Sequence, residues 1–228
     1  MIRPRIISFD LDDTLWPVEP VITAAETVLL SWIRVHHPRA AQGHDVDSMR
    51  RMRAGVAGRF PDRSHDLSFL RRRALTEQFE AAGYADPHAA DSPAEQAMEV
   101  FLAERNRVNF YADVRPALER LRLQYRLFAV SNGNADLRAC GIADLFHGHI
   151  TATTAGAAKP DARIFAHLLR AAGAAACEVL HVGDDPLADV VGAMRAGMQA
   201  VWLNRDGRRW PEEFAPPPRT VSTLDELM

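Results

Sequence analysis

The residues with the clearest chemical potential are Asp10 and Asp12, separated by one residue and placed directly after the apolar run Ile6-Ile7-Ser8-Phe9. An apolar run that stops at acids is the pattern of a buried strand delivering carboxylates to the end of a sheet. In open α/β sheets, the carboxyl ends of the strands are where ligands bind. Two carboxylates this close repel at neutral pH unless a cation sits between them, and a hard divalent ion with oxygen ligands meets that need. Two later apolar runs end the same way. Arg126–Ser131 stops at Ser131-Asn132-Gly133-Asn134, and Val179–Gly183 runs into Asp184-Asp185-Pro186-Leu187-Ala188-Asp189. Lys159, in Ala158-Lys159-Pro160-Asp161, is the single lysine of the chain, whose other strongly basic residues are all arginine. A compact, strongly hydrated point charge suits a phosphate better than a planar fork does.

If these runs are parallel strands of one sheet, all of these groups converge on one edge. Acids, a hydroxyl beside glycine-loosened amides, one lysine and more acids are what phosphoryl transfer through a carboxylate requires. One Asp attacks phosphorus and forms an aspartyl phosphate. A magnesium ion held by acids from two strands offsets the repulsion between nucleophile and phosphate. Ser131, its neighbouring amides and Lys159 bind the non-bridging oxygens. A second Asp protonates the leaving alkoxide and then deprotonates the attacking water.

The elements that must position these groups follow from periodicity. After the first strand, residues from about 18 to 108 show helical spacing and no convincing strand. Val21, Ala24, Ala25, Val28 and Leu29 recur at helical intervals, followed by Trp32 and Ile33, and this helix should stop near His37-Pro38. Further helices are expected over about 47–58, over about 66–82 with Gly83 as C-cap, and from Ser92-Pro93, where Glu95 would complete a capping box. From Tyr111 onward helix and strand alternate: helix 115–124, strand 126–131, a short helix after Asn134, a brief strand 149–151, helix 161–172, strand 179–183, helix 187–196 closed by Gly197, and strand 200–203. Such alternation implies a parallel sheet with helices on both faces, here a doubly wound α/β core with an all-helical insertion directly after its first strand. The run Pro216-Pro217-Pro218 looks like a rigid connector to a last short element.

Composition narrows the alternatives. The chain has 228 residues, 47% hydrophobic and 25% charged, the balance of an ordinary soluble globular protein. A formal net charge of −3 carries no electrostatic footprint for nucleic acid. Cys140 and Cys177 are too few and too unpatterned for a disulfide framework or a zinc site. No apolar run is long enough for a membrane span and the start does not resemble a signal peptide, so a reducing cytoplasm is the expected home. A small-molecule phosphomonoester is the expected partner, and a monomer or weak homodimer the expected state.

With these residues in place, the chain resembles the haloacid dehalogenase (HAD) superfamily in its phosphatase branch. The family's first motif, Asp-x-Asp-x-Thr after a strand, corresponds to Asp10-Leu11-Asp12-Asp13-Thr14. Its second, a Ser or Thr ending a strand, corresponds to Ser131, its third to Lys159-Pro160, and its fourth to Gly183-Asp184-Asp185 with Asp189. The resemblance covers essentially the whole chain and implies a Rossmann-like core, residues 1–16 and 110–228, with a C1-type helical cap, residues 17–109, that closes over the site and selects substrate. It implies Asp10 as nucleophile and magnesium ligand, and Asp12 as general acid/base with its backbone carbonyl on the metal. Ser131, the amide of Asn132 and Lys159 would hold the phosphate. Asp184 would ligate Mg2+ directly, with Asp185 near it through water and Asp189 supporting the loop.

Within the family, the presence of Asp12 argues for phosphoester hydrolysis, because the dehalogenases attack carbon, lack this acid/base Asp and need no magnesium. A phosphomutase on the same core residues stays open. Residues 9–15 with Pro20-Val21-Ile22, residues 131–134, and residues 181–185 running on to Gly192-Ala193 and Ala196-Gly197-Met198 are similar to a bacterial subgroup acting on flavin-pathway phosphates, including flavin mononucleotide and the phosphorylated ribitylaminouracil precursor of riboflavin. Phosphoglycolate or a sugar phosphate is the competing expectation. A signalling receiver domain shares the residue types, but its phospho-accepting Asp lies on a middle strand and it has no large helical insertion. A HAD-fold binding protein without turnover usually lacks a core motif residue, and none is lost here.

Other conspicuous residues have plainer readings. Asp13 and Thr14 are expected to serve the turn, and the histidines, including His36-His37 and His181, to be structural. Arg71-Arg72-Arg73 cannot all face one site at about 100° per residue, and a solvated face is the expectation for most of them. Trp16 could line a pocket or fill a hinge.

Overall fold

The computed structural model describes residues 3–84 and 89–227. The strands are β1 (Ile6–Phe9), β2 (Arg126–Ser131), β3 (Gly148–Thr151), β4 (Val179–Gly183), β5 (Gln199–Leu203) and β6 (Thr220–Val221). They form one sheet in the order β3-β2-β1-β4-β5-β6, with every neighbouring pair parallel. β1 is buried along its whole length, as a near-continuous apolar run should be in a sheet covered on both faces. Later strands add outward from β1 in opposite directions, so the strand order reverses between β1 and β4, the place where open α/β sheets bind ligands. The doubly wound α/β architecture expected from the alternation is the one observed.

The chain divides into two compact units, Met1–Pro17 with Asn109–Met228, and Val18–Val108. The second contains α1 (Val18–His36), α2 (Pro38–Ala41), α3 (Val46–Arg59), α4 (Leu67–Ala81) and α5 (Pro93–Arg105). Its main core joins Ala25, Leu29 and Ile33 of α1 to Leu75 and Phe79 of α4 and Met98 and Phe101 of α5. Ala24 and Val28, expected on the buried stripe of α1, are exposed, and Glu26 is buried instead. The reason is an ion cluster. Glu26 pairs with Arg50 (2.5 Å), Arg53 (3.2 Å) and Arg71 (3.0 Å), and the Arg71 guanidinium lies 3.6 Å over the Phe101 ring. The arginine triplet is therefore no uniformly solvated face: Arg71 is buried in this cluster, Arg72 pairs with Glu95 and Arg73 with Glu77. The Arg72 pair also changes the expected capping box. The Ser92 side chain accepts from the Glu95 amide, while the Glu95 carboxylate turns to Arg72.

In the first unit, α6 (Val114–Leu121), α7 (Ala152–Ala155), α8 (Ala162–Ala172) and α9 (Gly192–Arg195) accompany the sheet. α8 buries Ile164, Phe165 and Leu168, spaced for one face, in a core shared with Ile6 of β1 and Phe128 and Val130 of β2. Two expected helices differ. After Asn134 there is a single turn at residues 137–141, which stops because Gly141 turns left-handed (φ 76°) and the Ile142 amide donates back to the Leu137 carbonyl. The expected helix 187–196 begins as a π-helical turn, Pro186–Val191, before α9. Such wide turns are frequent at functional sites, and this one carries Asp189.

Candidate active site

Asp10 leaves β1 with its amide donating to the Val182 carbonyl of β4 (2.9 Å), which ties the strand end in place. The backbone then reverses through Asp13, held at φ 59°, a conformation Asp tolerates better than most residues. The turn is closed by the Asp13 amide donating to the Trp16 carbonyl (2.7 Å) and the Leu15 amide to the Leu11 carbonyl (2.7 Å). This geometry places the Asp12 carboxylate against the Trp16 indole, whose Nε1–H donates to Asp12 Oδ1 at 2.8 Å. Trp16 itself is fully buried and packs edge-on against Phe110 at 5.6 Å.

Lys159 reaches the site from the segment before α8. Its ammonium donates to Asp10 Oδ1 (2.5 Å), Asp189 Oδ1 (2.6 Å) and the Val130 carbonyl (2.8 Å), using all three hydrogens. Asn132 holds the Lys159 peptide from both sides: its Oδ1 accepts from the Lys159 amide (2.7 Å) and its Nδ2 donates to the Lys159 carbonyl (3.0 Å). Ser131 is buried at the end of β2, its Oγ accepting from the Gly133 amide (2.9 Å). Burial would drive Lys159 toward its neutral form, but Asp10 and Asp189 reverse that and hold it charged above its ordinary range.

The π-turn folds Asp189 back over the end of β4. Its Oδ1 meets Lys159 and His181, and its Oδ2 accepts from the Asp185 amide (3.0 Å). This fold-back requires Gly183, because a Cβ there would lie 2.2 Å from Asp189 Cγ. Burial opposes the charge on Asp189, but Lys159 and His181 hold its carboxyl below the usual range. Asp10 moves the other way: burial, with Asp189 and Asp184 nearby, pushes its carboxyl well above the usual range despite Lys159. Asp184 is raised to about 6 by burial and Asp189, against the pull of Arg208.

One carboxylate oxygen from each of Asp10, Asp184 and Asp189 lies within 4.8 Å of the others. This set fits a hard cation, though unevenly. Asp189 has both oxygens engaged, as described. The Thr14 hydroxyl lies 3.5 Å from Asp10 Oδ2 and 3.3 Å from Asp184 Oδ1, and its one hydrogen cannot satisfy both. Asp10 and Asp184 are therefore the side chains with acceptor capacity to offer an ion. Thr14, expected to serve only the turn, bridges the two acids. Asp185, expected near the metal through water, caps the π-turn with its Oδ1, which accepts from the Leu187 (2.9 Å) and Ala188 (2.6 Å) amides.

Several supporting residues had no signal in the sequence. The Trp202 indole and Arg208 both donate to the Asp184 carbonyl at 2.8 Å, and Arg208 also pairs with Asp184 Oδ2 at 3.0 Å. Arg205 grips Asp113 through two nitrogens at 3.1 Å, donates to the Thr14 carbonyl (3.1 Å) and covers the Tyr111 ring. A strand end followed by isolated arginines is too common a pattern to mark them.

A doubly wound parallel sheet thus carries, at the carboxyl end of its first strand, a lysine-paired aspartate in an acidic centre. Residues 4–197 match the haloacid dehalogenase-like hydrolase family model, and the chain belongs to that family. It is 31% identical, over 94% of its length and 91% of the relative's, to the 5-amino-6-(5-phospho-D-ribitylamino)uracil phosphatase YigB of Escherichia coli (strain K12). It is 35% identical to a phosphoserine phosphatase of Thermus thermophilus, covering 69% of this chain and 64% of that one. Among solved structures, a 2-haloacid dehalogenase from Pseudomonas syringae pv. Tomato DC3000 matches with a TM-score of 0.91 and 37% identity over 100% of this chain and 96% of that chain.

Proposed function

We propose that this enzyme is a Mg2+-dependent phosphomonoesterase that cleaves a small phosphorylated metabolite through an aspartyl phosphate on Asp10. The observation that carries the reading is the contact of the Lys159 ammonium with Asp10 Oδ1 (2.5 Å), in a site where Asp184 lies beside Asp10 and the Asp12 carboxylate follows two residues later. Asp10, Asp184 and the Asp12 carbonyl would hold a magnesium ion, which would supply positive charge to offset repulsion between the carboxylate nucleophile and the phosphoryl oxygens.

The side chains divide the remaining work. Asp10 attacks phosphorus, and the bond from phosphorus to the ester oxygen breaks. Asp12 gives its proton to the departing alkoxide, then takes one from the water that attacks the aspartyl phosphate, so that orthophosphate leaves and Asp10 is restored. Lys159, Ser131 and the Asn132 amide bind the non-bridging oxygens. Asp185 and Asp189 support the loop that carries Asp184. The helical unit serves as the cap and carries substrate choice in this reading.

For the substrate we infer a flavin-pathway phosphate such as flavin mononucleotide or phosphoribitylaminouracil, supported by the likeness to YigB along nearly the whole chain. A second reading, dehalogenation, is favoured by the likeness to the Pseudomonas syringae protein. The Asp12 carboxylate weighs against it, since attack on a carbon–halogen bond releases a halide that needs no proton.

The test is orthophosphate release from flavin mononucleotide, phosphoribitylaminouracil, phosphoglycolate and sugar phosphates, with and without Mg2+, alongside chloride release from 2-chloropropionate. Metal-dependent phosphate release that is lost in Asp10→Asn is the expected result. Chloride release without metal would overturn it.

A further inference from the structure

Ser8 and His181 are register partners across β1 and β4, so their side chains share one face of the sheet. Both are buried, at 0% and 1% exposure, and Phe165 of α8 packs edge-on against the imidazole at 5.6 Å. Ser8 Oγ lies 2.8 Å from His181 Nδ1, and His181 Nε2 lies 3.2 Å from Asp189 Oδ1. That same oxygen accepts from Lys159, which in turn donates to Asp10. An unbroken run of hydrogen bonds thus joins the middle of the sheet to the nucleophile. A polar pair within an otherwise apolar core is costly unless its bonds are made, and it recurs where a site demands it rather than where packing does.

The hydrogens can be placed by chemistry. Asp189 accepts an ammonium on one oxygen and a backbone amide on the other, so it is ionised and offers no hydrogen. His181 Nε2 must therefore carry the hydrogen of that bond. A cationic ring would set a second positive charge on the oxygen that already holds the Lys159 ammonium, in a dry environment. With the ring neutral and its hydrogen on Nε2, the Nδ1 lone pair would accept from the Ser8 hydroxyl 2.8 Å away. Asp189 itself rides on a turn beyond the strand, whereas His181 and Ser8 belong to strands, and functional groups on regular elements are held more firmly than those on loops.

We propose that Ser8 and His181 act as a positioning pair for the reaction: the neutral His181 ring, oriented by Ser8, anchors Asp189 so that Lys159 stays aimed at Asp10. The inference rests on the phosphatase reading for its kinetic consequence, although not for its geometry. Both residues act through Asp189.

The test uses the full chain with p-nitrophenyl phosphate and Mg2+, together with 15N NMR of histidine-labelled protein. The wild-type His181 ring should be neutral with hydrogen on Nε2. In His181→Phe, kcat should fall about 10- to 100-fold, as for lost outer-layer partners of other sites, with KM and the Mg2+ half-saturation unchanged. His181→Gln, whose amide can still donate to Asp189, should recover much of that loss, and Ser8→Ala should lower kcat in the same direction by less. Hydrogen on Nδ1, a charged ring at neutral pH, or a His181→Phe variant that melts and turns over like wild type would overturn the proposal. If His181→Phe does not fold, the ring's hydrogen position decides alone. Should wild type release no phosphate in a metal-dependent way, the phosphatase reading fails while the NMR result still decides the pair.

Discussion

The Trp16 indole donates to Asp12 Oδ1 at 2.8 Å, so the residue assigned to proton transfer is oriented by a buried aromatic side chain four positions along the same turn. The bond holds Asp12 in one rotamer. Trp16→Phe keeps most of the packing against Phe110 and removes the donor. Its kcat on a phosphomonoester should drop about tenfold or more, with Mg2+ binding unaltered, as measured by steady-state kinetics and metal titration.

Gly183 should tolerate no side chain. A Cβ would lie 2.2 Å from Asp189 Cγ, and the contact is with a side chain held by bonds at both oxygens. Gly183→Ala should cost about 1–3 kcal/mol, as overpacking does, and should lower kcat by displacing Asp189 and with it Lys159. Thermal melting and kinetics on the same sample check both effects.

Glu26 should set an acid limit on stability. Burial alone would raise its pKa, but Arg50, Arg71 and Arg53 outweigh that and lower it. A carboxyl whose folded value lies below the unfolded value, about 4.3, contributes stability above that pH, and the contribution goes as pH falls through the folded value. Glu26→Gln removes this dependence and leaves Arg71, already lowered to about 10 by burial and by Arg53, without its anion. A loss of about 3 kcal/mol at neutral pH is expected, shrinking as the pH is lowered, which chemical denaturation at several pH values measures.

Magnesium should stabilise the folded chain by mass action, about 2.7 kcal/mol at a hundredfold excess over Kd, seen as a rise in melting temperature. Asp184→Asn should abolish the rise, because Asp184 is one of the two acids with acceptor capacity to offer an ion. Asp185→Asn should leave it intact, because that carboxylate caps the π-turn.

Much of this architecture can be read in the chain itself. The apolar runs ending in Asp10, Ser131 and Gly183 mark strands directly, because a strand buried on both faces leaves an uninterrupted hydrophobic signature. The parallel sheet follows from their alternation with helices, and the convergence of Asp10, Lys159 and Asp184 follows from the parallel sheet. Elements shaped by packing rather than by pattern were not legible. Asp185 and Asp189 look alike in a row of acids, and only the π-turn separates a helix cap from a partner of Lys159. Arg71 belongs to a charged triplet, and only the crossing of α1, α4 and α5 buries it between Glu26 and Phe101.

Side-chain period and residue type are local properties, and they suffice for the α/β class, the strand ends and the acids and lysine that gather there. The choice of acids that Lys159 pairs with, the bridge from Thr14 to Asp10 and Asp184, and the meeting of Ser8 with His181 across the sheet belong to the folded molecule. Those contacts join residues as far as 173 positions apart, and the register of β1 against β4 is a property of the folded chain that no local pattern encodes.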